Sequence, residues 1–150
     1  KRFEINWSGT TILKTDYSTI EVPTFNKENF SFDETKGLTF FSEWEANSEI
    51  NESSVNLSNV SYSVISVTEL KGLSINTIPN TPKIKLSNTN ARGKRSVFFE
   101  LTPIINDNGV YKKITSFTVN YNASSNRNAL AAEPQAIVNS VLSSGQWYRF

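Results

Sequence analysis

Glu43 and Glu45 flank Trp44 in "SEWEANSE", and Asp107 lies between two asparagines in "INDNG". Paired carboxylates are the minimum equipment of a glycoside hydrolase, which needs an acid and a base or nucleophile at a fixed separation. Residues two apart on a strand share a face, so Glu43 and Glu45 would project together. Nothing in their spacing selects them over any other acidic pair. Asp107 with Asn106 and Asn108 resembles half a calcium loop, but the later carboxylates are missing and a hairpin glycine follows. A plain turn is the expectation there. Two absences narrow the chemistry further, since the chain has no histidine and no cysteine. These 150 residues therefore hold no Ser-His-Asp or Cys-His nucleophile system, no disulfide and no cysteine-ligated zinc. No catalytic, cofactor-binding or metal-binding residue is assigned.

Binding chemistry has better candidates. Trp44 stands among charges with Phe40 and Phe41 close by. On a β-sandwich, an exposed tryptophan can stack on a sugar ring, which would make a carbohydrate-binding module. Arg92-Gly93-Lys94-Arg95 forms a basic cluster between two strand-like runs. It could meet an acidic partner, a phosphate or a lipopolysaccharide headgroup, and it equally suits a solvated turn. The candidate contact residues are thus Phe40, Phe41, Trp44, Arg92, Lys94 and Arg95. Phe3, Trp7, Phe98, Phe117 and Tyr121 sit where alternation puts a core.

The elements that must position these residues are strands. "RFEINW" places Phe3, Ile5 and Trp7 on one side, and "TTILK" and "STIEV" flank a turn at Asp16-Tyr17-Ser18. "GLTFF" is a short apolar run, and "SSVNLSNVSYSVISVTEL" alternates through Val55 and Leu57, breaks at Ser58-Asn59, and resumes at Tyr62, Val64 and Val67. "LSINTI" and "PKIKL" read as short strands around the turn Pro79–Pro82. "RSVFFEL" runs into Pro103, "INDNG" makes a hairpin turn, and "KITSFTVNY" alternates through Ile114, Phe117, Val119 and Tyr121 with one early offset. "ALAAEPQAIVNSVL" alone has helical composition, and Pro134 limits it to a turn on either side. About ten short strands with polar turns predict an all-β domain, a β-sandwich with Greek-key or jelly-roll connections and little or no helix. The uneven strand lengths favour a sandwich over a closed barrel.

Composition agrees with one domain. Fifteen basic residues oppose 14 acidic ones for a formal charge of +1, so no global field steers the chain toward nucleic acid. Serine, threonine and asparagine make up roughly a third of it, above ordinary usage, as suits an exported β-protein. The chain ends within the aromatic run "GQWYRF" and contains no methionine. From this we expect residues 1–150 to be a single N-terminal domain, with 143–150 a strand or hinge leading into a further domain.

"VLSSGQWYRF" resembles a signature near the N-terminus of type IX secretion system sortases, the PorU-like members of the gingipain-type cysteine peptidase family. "ARGKRSVFFELTPIINDNGVYKKITSFTVNY" is similar to the family's basic loop, strand into proline, glycine turn and lysine-bearing strand, and "FEINWSG" to its opening strand. The resemblance implies a cell-surface, outer-membrane-associated enzyme that removes the C-terminal signal from secreted cargo and attaches the cargo to the surface. Its implied partners are an outer-membrane β-barrel (PorV-like), the cargo's signal domains, and a peptidase domain following in the same chain. The family's Cys and His dyad has no counterpart here, so the resemblance implies a non-catalytic role in partner docking, cargo presentation or packing on the peptidase. Gingipain prodomains are β-sandwiches that cover their enzyme. By that analogy the Arg92–Arg95 loop would occupy an arginine-preferring cleft.

Overall fold

A computed structural model describes residues 1–91 and 93–124. Ten strands account for most of them: β1 (Arg2–Glu4), β2 (Thr10–Lys14), β3 (Thr19–Pro23), β4 (Phe30–Asp33), β5 (Gly37–Glu45), β6 (Asn56–Val64), β7 (Ile84–Ala91), β8 (Lys94–Leu101), β9 (Ile104–Asp107) and β10 (Val110–Asn120). Helical structure among the described residues is confined to single 3-10 turns such as Thr68–Leu70 and Ile75–Thr77. The chain is an all-β sandwich. Residues 143–150 and the "ALAAEPQAIVNSVL" segment lie outside the described residues.

Three antiparallel sheets form. In one, β10 is the central strand, with β6 along one edge and β9 and β1 end to end along the other. The second runs β4-β5-β8-β7, and the third is the β2–β3 hairpin. Neighbours β5 and β8 are far apart in sequence, so the chain crosses between sheets instead of meandering within one.

Aromatic side chains from the two four-stranded sheets meet in the middle. Phe40, Val97, Phe99 and Leu101 come from one sheet and Ile114, Phe117 and Val119 from the other, all nearly inaccessible. Phe40 meets Phe117 edge-on with ring centroids 5.3 Å apart, and Phe3 stacks on Phe117 at 5.4 Å. Burying each such ring contributes roughly 1.5–3 kcal/mol. A second cluster (Val22, Leu38, Ile65, Leu70, Leu73 and Ile104) ties the β2–β3 hairpin to the sandwich.

Several sequence expectations appear residue for residue. The β2–β3 turn closes where expected, with the Thr15 N–H donating to the Ser18 carbonyl at 2.7 Å. Asn108 and Gly109 both take positive φ, 54° and 93°, as a two-residue hairpin turn requires. The early offset in "KITSFTVNY" is a β-bulge: the register against β6 shifts between Ile114 and Thr118, which lets Ile114, Phe117 and Val119 all point inward. The break at Ser58-Asn59 is also real, since Asn59 adopts φ 51°. Arg2 fastens it from β1, donating to the Asn59 carbonyl at 2.8 Å and to the Thr118 and Ser116 hydroxyls.

Others need correction. "LSINTI" is no strand: Ile75–Thr77 coils into a 3-10 turn, with the Ser74 carbonyl accepting from both Thr77 N–H and its hydroxyl. A short polar side chain has offered the backbone a local alternative to a ladder. "GLTFF" is only the start of β5, which continues through Trp44 to Glu45. Tyr62, Val64 and Val67 are 40%, 68% and 60% exposed, so the alternation after Asn59 marks no core face.

Candidate functional site

Of the expected contact residues, Phe40, Phe41, Trp44, Lys94 and Arg95 fall on one sheet, and strand register decides what each does. Along β5, Leu38, Phe40 and Trp44 point into the sandwich, and Thr39, Phe41, Glu43 and Glu45 point out. Cross-strand pairing then aligns rows on the outer surface of the β4-β5-β8-β7 sheet. Phe41 opposes Glu100, which opposes Lys85; Glu43 opposes Phe98, which opposes Ser87; Glu45 opposes Ser96, which opposes Thr89.

Phe40 is therefore not a contact residue. It is 1% exposed and packs on Phe3, Phe25 and Phe117. Phe41 does face outward, half-buried, and stacks on Phe98 with centroids 6.0 Å apart. Phe98 had been expected in the core, but in the Phe98-Phe99 doublet only Phe99 turns inward. Trp44 is half-buried at the margin of the core rather than standing free. Its ring lies 5.8 Å from Phe3 and 6.1 Å from Tyr121, its Nε1–H donates to the Tyr121 hydroxyl at 3.0 Å, and the Lys1 ammonium sits 5.6 Å over it. A sugar platform built on Trp44 would have to displace these neighbours.

The acidic pair is divided between different partners. Glu43 accepts from the Ser96 hydroxyl at 2.9 Å and from Thr89 at 3.3 Å, and those two hydroxyls bond to each other. Glu45 lies 3.5 Å from Lys94, with both side chains 74% exposed, a geometry worth little. Asp107 ends β9 beside the Asn108-Gly109 turn, its carboxylate accepting from the Lys112 ammonium at 2.8 Å while the Asn106 side-chain oxygen accepts the Gly109 N–H. No group of three or more potential metal-ligating side chains occurs among the described residues.

Lys94 and Arg95 begin β8 just after the β7–β8 turn, and both are exposed. Gly93 supplies the turn's positive φ of 75°. Arg92 lies outside the described residues. Lys94 and Arg95 thus stand beside a hairpin turn, and the outer face runs from Lys94 through the Glu43 network to the Phe41–Phe98 pair.

Beyond that pair the same face opens into a groove that the cluster-based reading missed. It has a volume of about 330 Å³ and is lined by Lys36, Lys83 and Lys85, by the hydroxyls of Thr35, Thr39, Thr77 and Thr102, and by Glu100 over Ile84 and Leu101. The signal in the sequence was the lysine alternation of "PKIKL", which sets Lys83 and Lys85 on one side of a strand. Asp33, at the end of β4, directs one carboxylate oxygen to the Thr35 hydroxyl and to the N–H groups of Thr35 and Lys36. Those hydrogen bonds stabilise the ionised form and hold its pKa below the ordinary carboxylate range.

No family model and no curated protein matches the chain. Among solved structures it is similar to a complex of Porphyromonas gingivalis RgpB pro- and mature domains. The sequences are 16% identical, the TM-score is 0.50, and the match covers 83% of this chain and 78% of that one. At that identity the likeness is one of fold.

Proposed function

We propose that this chain is a non-catalytic recognition domain of a gingipain-type cysteine peptidase, acting by protein–protein contact with the peptidase domain. The observation that carries the reading is the shared fold with a chain of the RgpB pro- and mature-domain complex, over most of both chains. The residue inventory supports it, because thiol and imidazole chemistry must be supplied by another polypeptide segment. The contact surface we assign is the outer face of the β4-β5-β8-β7 sheet, from Lys94 to the groove. That face presents an aromatic pair ringed by charged side chains, the mixture that protein interfaces favour. More specifically, we assign the parent protein to the surface sortases of type IX secretion, with a β-barrel of the outer membrane and cargo signal domains as its further partners.

Calorimetric titration of the chain into a gingipain-type peptidase domain from the same organism tests this. We expect saturable one-to-one binding, with Kd at or below about 10 µM, and a slowed peptidase. Absence of binding overturns the reading. Heat released on neutral polysaccharides instead would move it to a carbohydrate-binding module.

A further inference from the structure

We propose that the lysine-lined groove at the end of the β4-β5-β8-β7 sheet is a binding site for an acidic polypeptide segment of a protein partner. The inference rests on the reading that the domain works by protein contact, and it names the chemistry of one contact. Lys36, Lys83 and Lys85 bring three ammonium groups to the groove against the single carboxylate of Glu100. None of the four makes an ion pair among the described residues, where the salt bridges are Lys94–Glu45 and Lys112–Asp107. The nearby Asp33 carboxylate caps its own turn and keeps its negative charge, which acts on Lys36, so the surplus of positive charge in the groove is carried chiefly by Lys83 and Lys85. A concentration of one sign in a chain of formal charge +1 is local design by strand register.

The walls are fixed before any ligand arrives. Gly37 has φ +78°, and a Cβ placed on it would lie 2.7 Å from the Thr77 hydroxyl oxygen, so the β4–β5 turn closes tightly on the Ile75–Thr77 turn. Thr77 is held by the Ser74 carbonyl at 2.7 Å. Across the groove, Lys83 N–H donates to the Thr102 hydroxyl oxygen at 2.8 Å and Thr102 N–H returns a bond to the Lys83 carbonyl at 3.0 Å. The Thr102 hydroxyl thus keeps its own hydrogen for a ligand. Ammonium groups on long stems beside the free Thr102 hydroxyl hydrogen suit carboxylates spaced along a peptide. The backbone walls are preorganised, so the ordering cost of binding falls on the three lysine side chains.

The test titrates the intact chain with a capped hexaglutamate peptide at low salt, with capped hexaglutamine and inorganic phosphate as companion probes. We expect hexaglutamate to bind, hexaglutamine not to bind, and phosphate to compete poorly. Lys36→Gln/Lys83→Gln/Lys85→Gln should weaken peptide binding by at least about tenfold. Lys14→Gln/Lys27→Gln/Lys71→Gln, with the same loss of charge elsewhere, should change it less than about twofold, and salt near 1 M should abolish it. Equal losses in the two triple variants, no hexaglutamate binding at millimolar peptide, or phosphate competing as well as peptide would each overturn the proposal. A groove variant that still binds the peptidase domain normally overturns the groove as a docking point and leaves the docking reading standing. Loss of peptidase binding by the unaltered chain, with hexaglutamate binding intact, does the reverse.

Discussion

Phe40 and Phe99 turn into the sandwich and are 1% and 0% exposed, whereas their sequence neighbours Phe41 and Phe98 stack on each other at the outer surface of the same sheet. Both doublets consist of the same residue type on adjacent, paired strands. Only strand phase separates a side chain that holds the fold from one available to a partner. The comparison teaches that residue type alone could not assign roles here, and that the inner face should govern stability while the outer face governs binding.

The sharpest way to break that contrast is truncation on either side of it. Phe99→Ala should destabilise the chain by about 3–5 kcal/mol, through lost burial plus the cavity left beside Phe3 and Phe117. Phe41→Ala should cost only about 1 kcal/mol, the value of an aromatic pair at a surface, and should lower affinity for the peptidase domain. Denaturant midpoints at unchanged slope measure both. Equal costs would erase the distinction between the faces.

Trp44 tests the margin between them. Trp44→Phe keeps most of the packing on Phe3 and removes the hydrogen bond to Tyr121, so a loss near 1 kcal/mol is expected. Tyr121→Phe should cost a similar amount, and the double variant less than the sum, since both remove one bond. Full additivity would show that the bond contributes nothing.

The smallest effect lies at acid pH. Asp33 and Glu69 have pKa values held below their ordinary 3.8 and 4.5: Asp33 by the Thr35 hydroxyl and neighbouring N–H groups, Glu69 by the Ser66 N–H and hydroxyl. A carboxylate stabilised in the folded state contributes above its unfolded value and loses that contribution as pH falls through the folded one. Asp33→Asn and Glu69→Gln should each slightly flatten the decline of stability below about pH 4.5. Thermal melts from pH 6 to 3 would detect it, and an unchanged acid limb would count against these hydrogen bonds.

Period-two alternation was enough to read the sandwich and the inward series Ile114, Phe117 and Val119, including its bulge. Where two phenylalanines adjoin, alternation offers two phases and cannot choose, which is why Phe40 looked like a surface residue and Phe98 like core. Trp44 looked exposed because Glu43 and Glu45 flank it, although charged neighbours on either side are what an inward residue of a half-buried strand should have. The groove was harder still. Lys36 and Lys83 are separated by nearly fifty residues, and only the pairing of β5, β8 and β7 draws their ends together.

The kink at Asn59 bears on how the chain behaves in crowded solution. Among the described strands, β6 is partnered along one side only, and an unpartnered rim normally invites a second molecule to extend the ladder. Here the left-handed residue interrupts that template mid-strand, and Arg2 holds its carbonyl in place from across β10. A visiting strand would find no straight track to follow, so ribbon-like polymerisation from this rim is disfavoured even at high concentration.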